Sequence, residues 1–192
     1  MTSLPPFPAW RDVAERARSY LASREALMLL DVWLSFATGD QPPDRSALKP
    51  ETMAPLLADL WLMDYEPDTR RLRYRLEGEN IRARYDRSLV GRYLDETLSP
   101  AARDYVLRYF LACVERPAIC IAIGRLYHEW EKPGYGDRLL LPLLDSHGNA
   151  EGLLGITICK QMFASQAQAK VRAKRITCIL PLDGSEPSEV DG

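Results

Sequence analysis

Residues 70–92 read RRLRYRLEGENIRARYDRSLVGR and contain eight arginines, whereas the 192-residue chain has a formal net charge of only -2. Within this stretch, RLRYRLEG (residues 71–78) alternates between apolar and charged side chains. Successive side chains of a β-strand point to opposite faces, so the pattern predicts a strand with Leu72, Tyr74 and Leu76 facing the core. The arginines of this strand then lie on its solvated face.

The predicted strand belongs to a hairpin. LWLMDY (residues 60–65) is apolar and aromatic, and EPDTR (residues 66–70) supplies turn residues between the two strands. Three later apolar stretches, separated by loop or turn sequences, predict three successive strands: AICIAIGRLYHEWE (118–131), RLLLPLLD (138–145) and AEGLLGITICKQMF (150–163).

Helical segments surround and interrupt these strands. Residues 10–37 contain no Gly or Pro and place apolar residues three or four apart, which predicts two helices or one kinked helix. Short helical turns are predicted for residues 79–91. Ser99 and Pro100 provide an N-cap and a first helical residue for a long helix that ends before Pro117. The order of hairpin, helices and three strands predicts an α+β fold.

Five motifs occur in a fixed order between residues 27 and 160: DVWLSFATGDQPPDRSALKPE, LLADLWLMDYE, RYRLEGENI, DRSLVGRYLDE and DRLLLPLLDSHGN. In these motifs the chain resembles the PAS domain superfamily, and within it a PAS_5-like subfamily, formerly a domain of unknown function. That subfamily is found chiefly in alphaproteobacteria, often as nearly the whole protein. The resemblance implies a five-stranded antiparallel sheet with helices on one face, preceded here by an N-terminal helical extension.

The resemblance and the composition together divide the chain into five parts. The expected parts are an irregular lead (1–9), an N-terminal helical extension (10–39), a PAS-like domain (40–163), a linker with an extra strand (164–182) and a disordered acidic tail (183–192). The tail is predicted to be disordered because it is rich in acidic residues, Gly, Ser and Pro.

PAS domains hold ligands between the sheet and the helices, so the resemblance implies a cavity there. The candidate lining residues are Tyr74, Leu76, Glu79, Tyr85, Asp86, Tyr109, Phe110, Tyr127 and Trp130. Glu79 and Asp86 stand where the subfamily has other residues, and they place charge near the mouth of the cavity. Core packing also explains each of the aromatic residues, because aromatic side chains supply much of any core.

Composition argues against nucleic-acid and membrane partners. Lys and Arg number 25 against 27 Asp and Glu, and Glu77, Glu79 and Asp86 interleave with the arginines, so a strong positive field is absent. The chain has no apolar run near the ~20 residues that span a bilayer. Four cysteines without a CxxC pair, and a start without signal-peptide character, predict a reduced cytoplasmic protein.

No cofactor is assigned from the sequence. Flavin photochemistry of the light-sensing PAS type uses an Asn-Cys-Arg run after the second strand, and NIRARYDR (residues 80–87) has no cysteine there. His128 could serve as an axial haem ligand, but a lone histidine on an alternating strand is more often a surface residue. Dispersed Cys and His residues give no metal site.

Two functional hypotheses from different classes follow. The first is a non-catalytic sensory or protein-interaction domain that binds a small molecule, or no ligand at all, and signals through an unknown partner protein. It forms a homodimer through its N-terminal helices, with Leu27, Leu30 and Leu34 as the candidate contacts. The alternative is a small enzyme on a PAS-like α+β cone fold, with Glu129 or Asp137 as acid/base.

Overall fold

The structure is a computed structural model that describes residues 7–38, 41–85, 87–126, 134–162 and 175–191. Its α-helices in these ranges are α1 (Trp10–Arg18), α2 (Arg24–Ser35), α3 (Glu79–Tyr85), α4 (Leu94–Thr97) and α5 (Pro100–Glu115). Its strands are β1 (Leu60–Glu66), β2 (Arg71–Glu77), β3 (Ala118–Leu126), β4 (Gly134–Leu144), β5 (Ala150–Met162), β6 (Ile176–Pro181) and β7 (Ser188–Asp191). None of these helices has the length and hydropathy needed to span a bilayer.

All the described strands belong to one antiparallel sheet in the order β2-β1-β5-β4-β3-β6-β7. The predicted α+β class is confirmed, and β1 to β5 form the expected five-stranded unit. The described sheet has seven strands and not five, because β6, which lies in the segment predicted to hold an extra strand, pairs along β3 from Ala118↔Pro181 to Ile123↔Ile176, and β7 pairs with β6. The pairing of β6 with β3 satisfies the backbone groups that β3 would otherwise leave open at the edge of the sheet.

The segment predicted to be a disordered acidic tail contains β7, which pairs with β6. Asp183 fixes the turn before it. Its carboxylate accepts hydrogen bonds from the Ser185 backbone N–H at 2.9 Å and from Arg116 Nη2 at 2.7 Å. The prediction of disorder is wrong because backbone pairing and the Arg116 contact compensate for the low apolar content of the segment.

We expect Asp183→Asn to lower stability at neutral pH and to flatten its acid dependence. Hydrogen bonds from Ser185, and then from Arg116, lower the pKa of Asp183 to about 2. Because the pKa is lower in the folded than in the unfolded protein, the carboxylate stabilises the fold fully at pH values above its unfolded pKa of about 3.9. This contribution is lost as the pH falls through the folded pKa of about 2. The carboxylate is 36% exposed, so the effect is at most about 1 kcal/mol.

Urea denaturation of both proteins between about pH 5 and about pH 2 checks this prediction. The difference in unfolding free energy between wild type and Asp183→Asn should shrink as the pH falls. A difference that stays constant over this range would contradict the assigned role of the Asp183 carboxylate.

Helices cover both faces of the sheet, because the N-terminal helical extension packs on the face opposite the helices of the PAS-like unit. α3, α4 and α5 lie on one face, whereas α1 and α2 pack on the other. Strand β4 shows the reason: Leu139 and Leu141 join the cluster beneath α2, while Leu140 between them joins the cluster beneath α5. A sheet that is apolar on both faces requires cover on both.

This packing uses part of the surface that was predicted for a dimer. Leu30 of α2 is fully buried within the chain, so it is not available to a second copy. Leu27 and Leu34 are half-buried against the same cluster. The N-terminal helices are therefore a layer of the folded chain, and their strongest apolar face is already covered.

A β-bulge in the first hairpin reverses the predicted orientation of Leu76. Met63 pairs with Tyr74 and Leu62 pairs with Leu76, so Arg75 is an extra residue in β2. An extra residue breaks the two-residue alternation of a strand. Tyr74 is buried as predicted, but Leu76 is 37% exposed and does not face the core.

The arginines of the alternating stretch lie opposite carboxylates. Salt bridges join Arg70 with Glu115, Arg71 with Asp95 and Glu96, Arg73 with Glu66, and Arg75 with Asp64. The positive charge of β2 is thus balanced locally by neighbouring elements. Exposed pairs of this kind stabilise a fold little, so their main effect is on the electrostatic field of this surface.

Candidate functional site

A small cavity lies between the sheet and helices α3, α4 and α5. Its volume is about 50 Å³, which corresponds to room for about three or four water molecules. It is lined by Trp61, Tyr74, Ile81, Tyr85, Leu94, Leu98, Ser99, Ala102, Val106, Phe110, Arg138, Thr157 and Arg175. The helices supply mostly apolar groups, and the charged groups come from the sheet side.

One row of side chains across the sheet forms the polar floor of the cavity. Arg138 of β4 pairs with Thr157 of β5 on one side and with Ala122 of β3 on the other. Ala122 in turn pairs with Thr177 of β6. Paired residues of neighbouring strands share a face, so this row lies beneath α5. Arg175 precedes Thr177 by two residues and therefore lies on the same face of the sheet, adjacent to the row that contains Arg138.

The Trp61 indole fixes one end of this floor. Its Nε1–H donates a 3.0 Å hydrogen bond to Thr157 Oγ1, and its ring packs 5.4 Å from the Phe110 ring. The ring lies over Gly155, where an added Cβ would overlap the six-membered part of the indole. Gly155 therefore provides the space that the indole needs to reach Thr157.

Arg138 connects the floor to helix α5. Its Nε donates to Thr157 Oγ1 at 3.1 Å, and its Nη1 donates to Tyr109 Oη at 2.8 Å. Its guanidinium carbon lies 5.9 Å from the Phe110 ring. Burial raises the pKa of Tyr109, and the charge of Arg138 opposes that shift. A neutral Tyr109 thus holds a charged Arg138 in place.

Arg175 is the most constrained charge of the site. Its side chain is buried, with the residue 7% exposed, and its guanidinium carbon stacks 3.4 Å above the Tyr105 ring. Tyr105 is held by a short hydrogen bond to the Thr177 hydroxyl. The Nε of Arg175 has no hydrogen-bond partner among the described residues. Burial lowers the pKa of Arg175, and the nearby charge of Arg138 acts in the same direction.

The structure brings some of the predicted lining residues together. Tyr74, Tyr85 and Phe110 line the cavity, and Tyr109 contacts it through Arg138. Leu76 does not line it, because of the bulge in β2. Glu79 is exposed and lies with Glu77 and Arg82 at a separate surface depression, so it does not place charge at this cavity.

Several other candidate residues lie outside the described residues: Asp86, Tyr127, His128, Glu129 and Trp130. Asp137, the other candidate base, is described and buried. It precedes Arg138 on β4, so it lies on the sheet face beneath α1 and α2, away from the cavity. The described lining contains neither a carboxylate nor a histidine, the usual general bases of enzymes. Neither candidate base of the enzyme alternative is therefore among the described residues that line the cavity.

Sequence reasoning missed the polar residues that define the cavity: Trp61, Arg138, Thr157 and Arg175. The two-residue alternation of the predicted strands could have revealed the two arginines. Arg138 is two residues from Leu140, and Arg175 is four residues from Ile179, so each arginine shares a strand face with that apolar residue. Both apolar residues lie in the cluster beneath α5. A charged residue in a core-facing position of an apolar strand is rare unless it has a partner or a function.

The described residues contain no group of three or more His, Cys, Asp or Glu side chains placed to hold a metal ion. The cavity instead combines a cationic floor with an aromatic and aliphatic wall. Such a lining suits an organic molecule with one charged or strongly polar end, because polar contacts fix its orientation and apolar contacts bury its body.

Comparisons with known proteins place the chain in a family. The PAS domain family PAS_5 matches residues 21–158, and no curated protein matches. Among solved structures, an RNA-binding Light-Oxygen-Voltage receptor is similar with a TM-score of 0.42 and 15% identity. That alignment covers 85% of this chain and 50% of the receptor chain, so the present chain spans about half of the receptor's length. The family match covers most of the described sheet, and the chain belongs to the PAS domain family, as its motifs predict.

Proposed function

We propose that this protein is a PAS-type sensory domain that binds a small molecule in the cavity beneath α5 and signals through a partner protein. The observation that carries the proposal is the cavity itself, which lies between the sheet and helices α3 to α5 and joins the buried Arg175 and the half-buried Arg138 to an apolar wall. The proposed protein acts in the cytoplasm. Its four cysteines, Cys113, Cys120, Cys159 and Cys178, are free thiols, which agrees with a reducing compartment.

The short helices provide a route from ligand to surface. α3 and α4 have seven and four residues and contribute Ile81, Tyr85 and Leu94 to the cavity wall. Helices of this length have little stability of their own and depend on packing. A ligand that packs better against one arrangement of α3 and α4 shifts their population toward it. A partner protein that contacts the outer faces of α3 and α4 would bind one of these arrangements more tightly than the other.

A cavity-filling variant tests this proposal. Ala102 lines the cavity in the first turns of α5, whereas its neighbour Ala101 is exposed. We expect Ala102→Leu to fill the cavity and Ala101→Leu to leave it open, with similar helix propensity in both variants. Native mass spectrometry and an absorption spectrum of wild-type protein would identify any co-purified molecule. A thermal-shift screen of small molecules would then compare the three proteins.

The expected result is a set of compounds that raise the Tm of wild type and of Ala101→Leu, and that leave Ala102→Leu unchanged. Two outcomes oppose the proposal. One is that no compound stabilises the wild type, and the other is that all three proteins respond equally, which would place binding outside the cavity.

We further propose that the protein works as a homodimer through the outer surface of α2. Leu27 and Leu34 support this because part of each apolar side chain is still exposed after α2 has packed on the sheet. Light scattering over a range of concentrations would detect the dimer, and Leu34→Arg should shift it toward monomer. A monomer at every concentration would remove this part of the proposal and leave the ligand site untouched.

A further inference from the structure

The chemistry of the cavity floor indicates which class of molecule the cavity binds. Arg175 is only 7% exposed, and its Nε–H lacks an acceptor among the described residues. A buried donor without a partner costs free energy, and folded proteins rarely leave one. Stacking on the Tyr105 ring at 3.4 Å covers one face of the guanidinium but provides no acceptor for its Nε–H.

Arg175 also has no counter-charge among the residues that the structure describes. Salt bridges within residues 7–38, 41–85, 87–126, 134–162 and 175–191 include none from Arg175 to a carboxylate. A second guanidinium, that of Arg138, lines the same cavity. Two like charges in a low-dielectric space favour an anion between them.

The remaining walls limit the kind of anion. Away from Arg138, Thr157 and Arg175, the lining is aromatic or aliphatic except for Ser99 and the tyrosine hydroxyls. A second carboxylate or a phosphate would press its other charged oxygens against this wall, where burial of unpaired charge is expensive. A volume of about 50 Å³ also restricts the ligand to a few non-hydrogen atoms in this arrangement of the helices.

We propose that the cavity binds a small organic monocarboxylate. Its carboxylate accepts hydrogen bonds from Arg175, including the unpartnered Nε–H, in the positive field of Arg138. Its short apolar body lies against Tyr85, Leu94 and Val106. Guanidinium groups suit this role because their planar donors match the two oxygens of a carboxylate. This inference rests on the proposed sensory function of the same cavity and specifies its ligand.

Butyrate and butyramide are suitable probes because they share size and shape and differ in charge. We expect butyrate to raise the Tm of wild-type protein and to shift the arginine Nε–Hε NMR signal of Arg175, whereas butyramide does neither. Arg175→Gln should weaken butyrate binding about 10- to 100-fold, the loss expected for a charge-assisted hydrogen bond. Arg82→Gln, which removes an exposed arginine, should bind butyrate like wild type.

The stability of the ligand-free variant separates a binding role from a structural one. If Arg175 awaits an anion, Arg175→Gln should be at least as stable as wild type without butyrate, because it removes an uncompensated buried charge. If Arg175 instead has a structural partner, the variant should lose stability. Arg175→Lys keeps the charge without the planar donors and should bind with intermediate affinity.

Four outcomes would overturn the inference. Equal binding of butyrate and butyramide would show that charge is not recognised. Butyrate binding that survives in Arg175→Gln would place the carboxylate elsewhere. If only neutral compounds stabilise wild type, and Ala102→Leu abolishes their effect, the ligand is not a carboxylate but the sensory function is still supported. If no compound binds, both the carboxylate ligand and the sensory function are refuted.

Discussion

Replacing Trp33 with alanine is expected to lower the free energy of unfolding by about 3–5 kcal/mol, the usual range for a large aromatic residue in a core. Trp33 lies in α2, is fully buried, and packs edge-on against Trp10 with 5.8 Å between ring centroids. Its Nε1–H donates a 3.2 Å hydrogen bond to the carbonyl of Pro142 in β4. The change therefore removes a fully buried side chain that joins the N-terminal layer to the sheet.

Chemical denaturation followed by far-ultraviolet circular dichroism would measure this loss. Two variants calibrate it. Trp33→Phe keeps most of the volume and loses the hydrogen bond, so it should cost about 1–2 kcal/mol. Val32→Ala truncates the half-buried neighbouring residue on α2 and should cost less than about 1.5 kcal/mol.

The same measurement at several protein concentrations distinguishes an intramolecular layer from a dimer arm. Unfolding of a packed layer does not depend on concentration, whereas unfolding of a dimer contact does. A loss below about 1 kcal/mol for Trp33→Ala, or a loss that disappears at concentrations where wild type is monomeric, would contradict the packing of α2 described above.

Local periodicity was enough to predict most of the elements, because a strand or helix with one buried face shows its period directly. Ser99 and Pro100 indicated the start of α5, and the Ser99 hydroxyl does accept a hydrogen bond from the Ala102 backbone N–H. The hairpin at β1 and β2 was predicted by its alternation. The family was predicted by the order of its motifs, and residues 21–158 match it.

Errors arose where a distant partner overrides a local pattern. The alternation around Tyr74 has no feature that reveals Arg75 as an extra residue, since a bulge depends on how β1 pairs with β2. Residues 188–191 have too few apolar side chains to predict a strand, yet β6 offers them an open edge. Leu30 was assigned to a dimer because the helix pattern shows an apolar face without showing what covers it.

The candidate site was harder to predict than the fold. Aromatic residues were chosen because they are large, and Tyr74, Tyr85 and Phe110 do line the cavity. The charged residues were missed because an arginine at a strand end is ordinarily solvated. Only the pairing of β3 with both β4 and β6 brings Arg138 and Arg175 to the same face of the sheet near one another, and that pairing joins segments far apart in the chain.

A second large effect is expected for Gly155→Ala, which should lower the free energy of unfolding by about 3 kcal/mol through overpacking. Gly155 of β5 lies opposite Trp61 of β1, and a Cβ at this position would overlap Cζ2 and Cη2 of the indole. The ring has little freedom to move, because Trp61 is 3% exposed, packs against Phe110 and is bonded to Thr157.

A double-mutant cycle tests the cause of this effect. In a Trp61→Leu background the indole is absent, so Gly155→Ala should cost less than about 1 kcal/mol, which gives a coupling of about 2 kcal/mol between the two positions. Equal costs in the two backgrounds would show that the glycine is required by the backbone of β5 and not by the indole.

The same variant links core packing to ligand binding. The open space nearest the displaced indole is the cavity, so any shift of Trp61 narrows the cavity and breaks the bond from its Nε1–H to Thr157. Thr157 also accepts from Arg138, so the polar floor changes with it. We therefore expect Gly155→Ala to lose both stability and the butyrate response. Full stability together with an unchanged response would mean that the indole does not fix the end of the cavity floor.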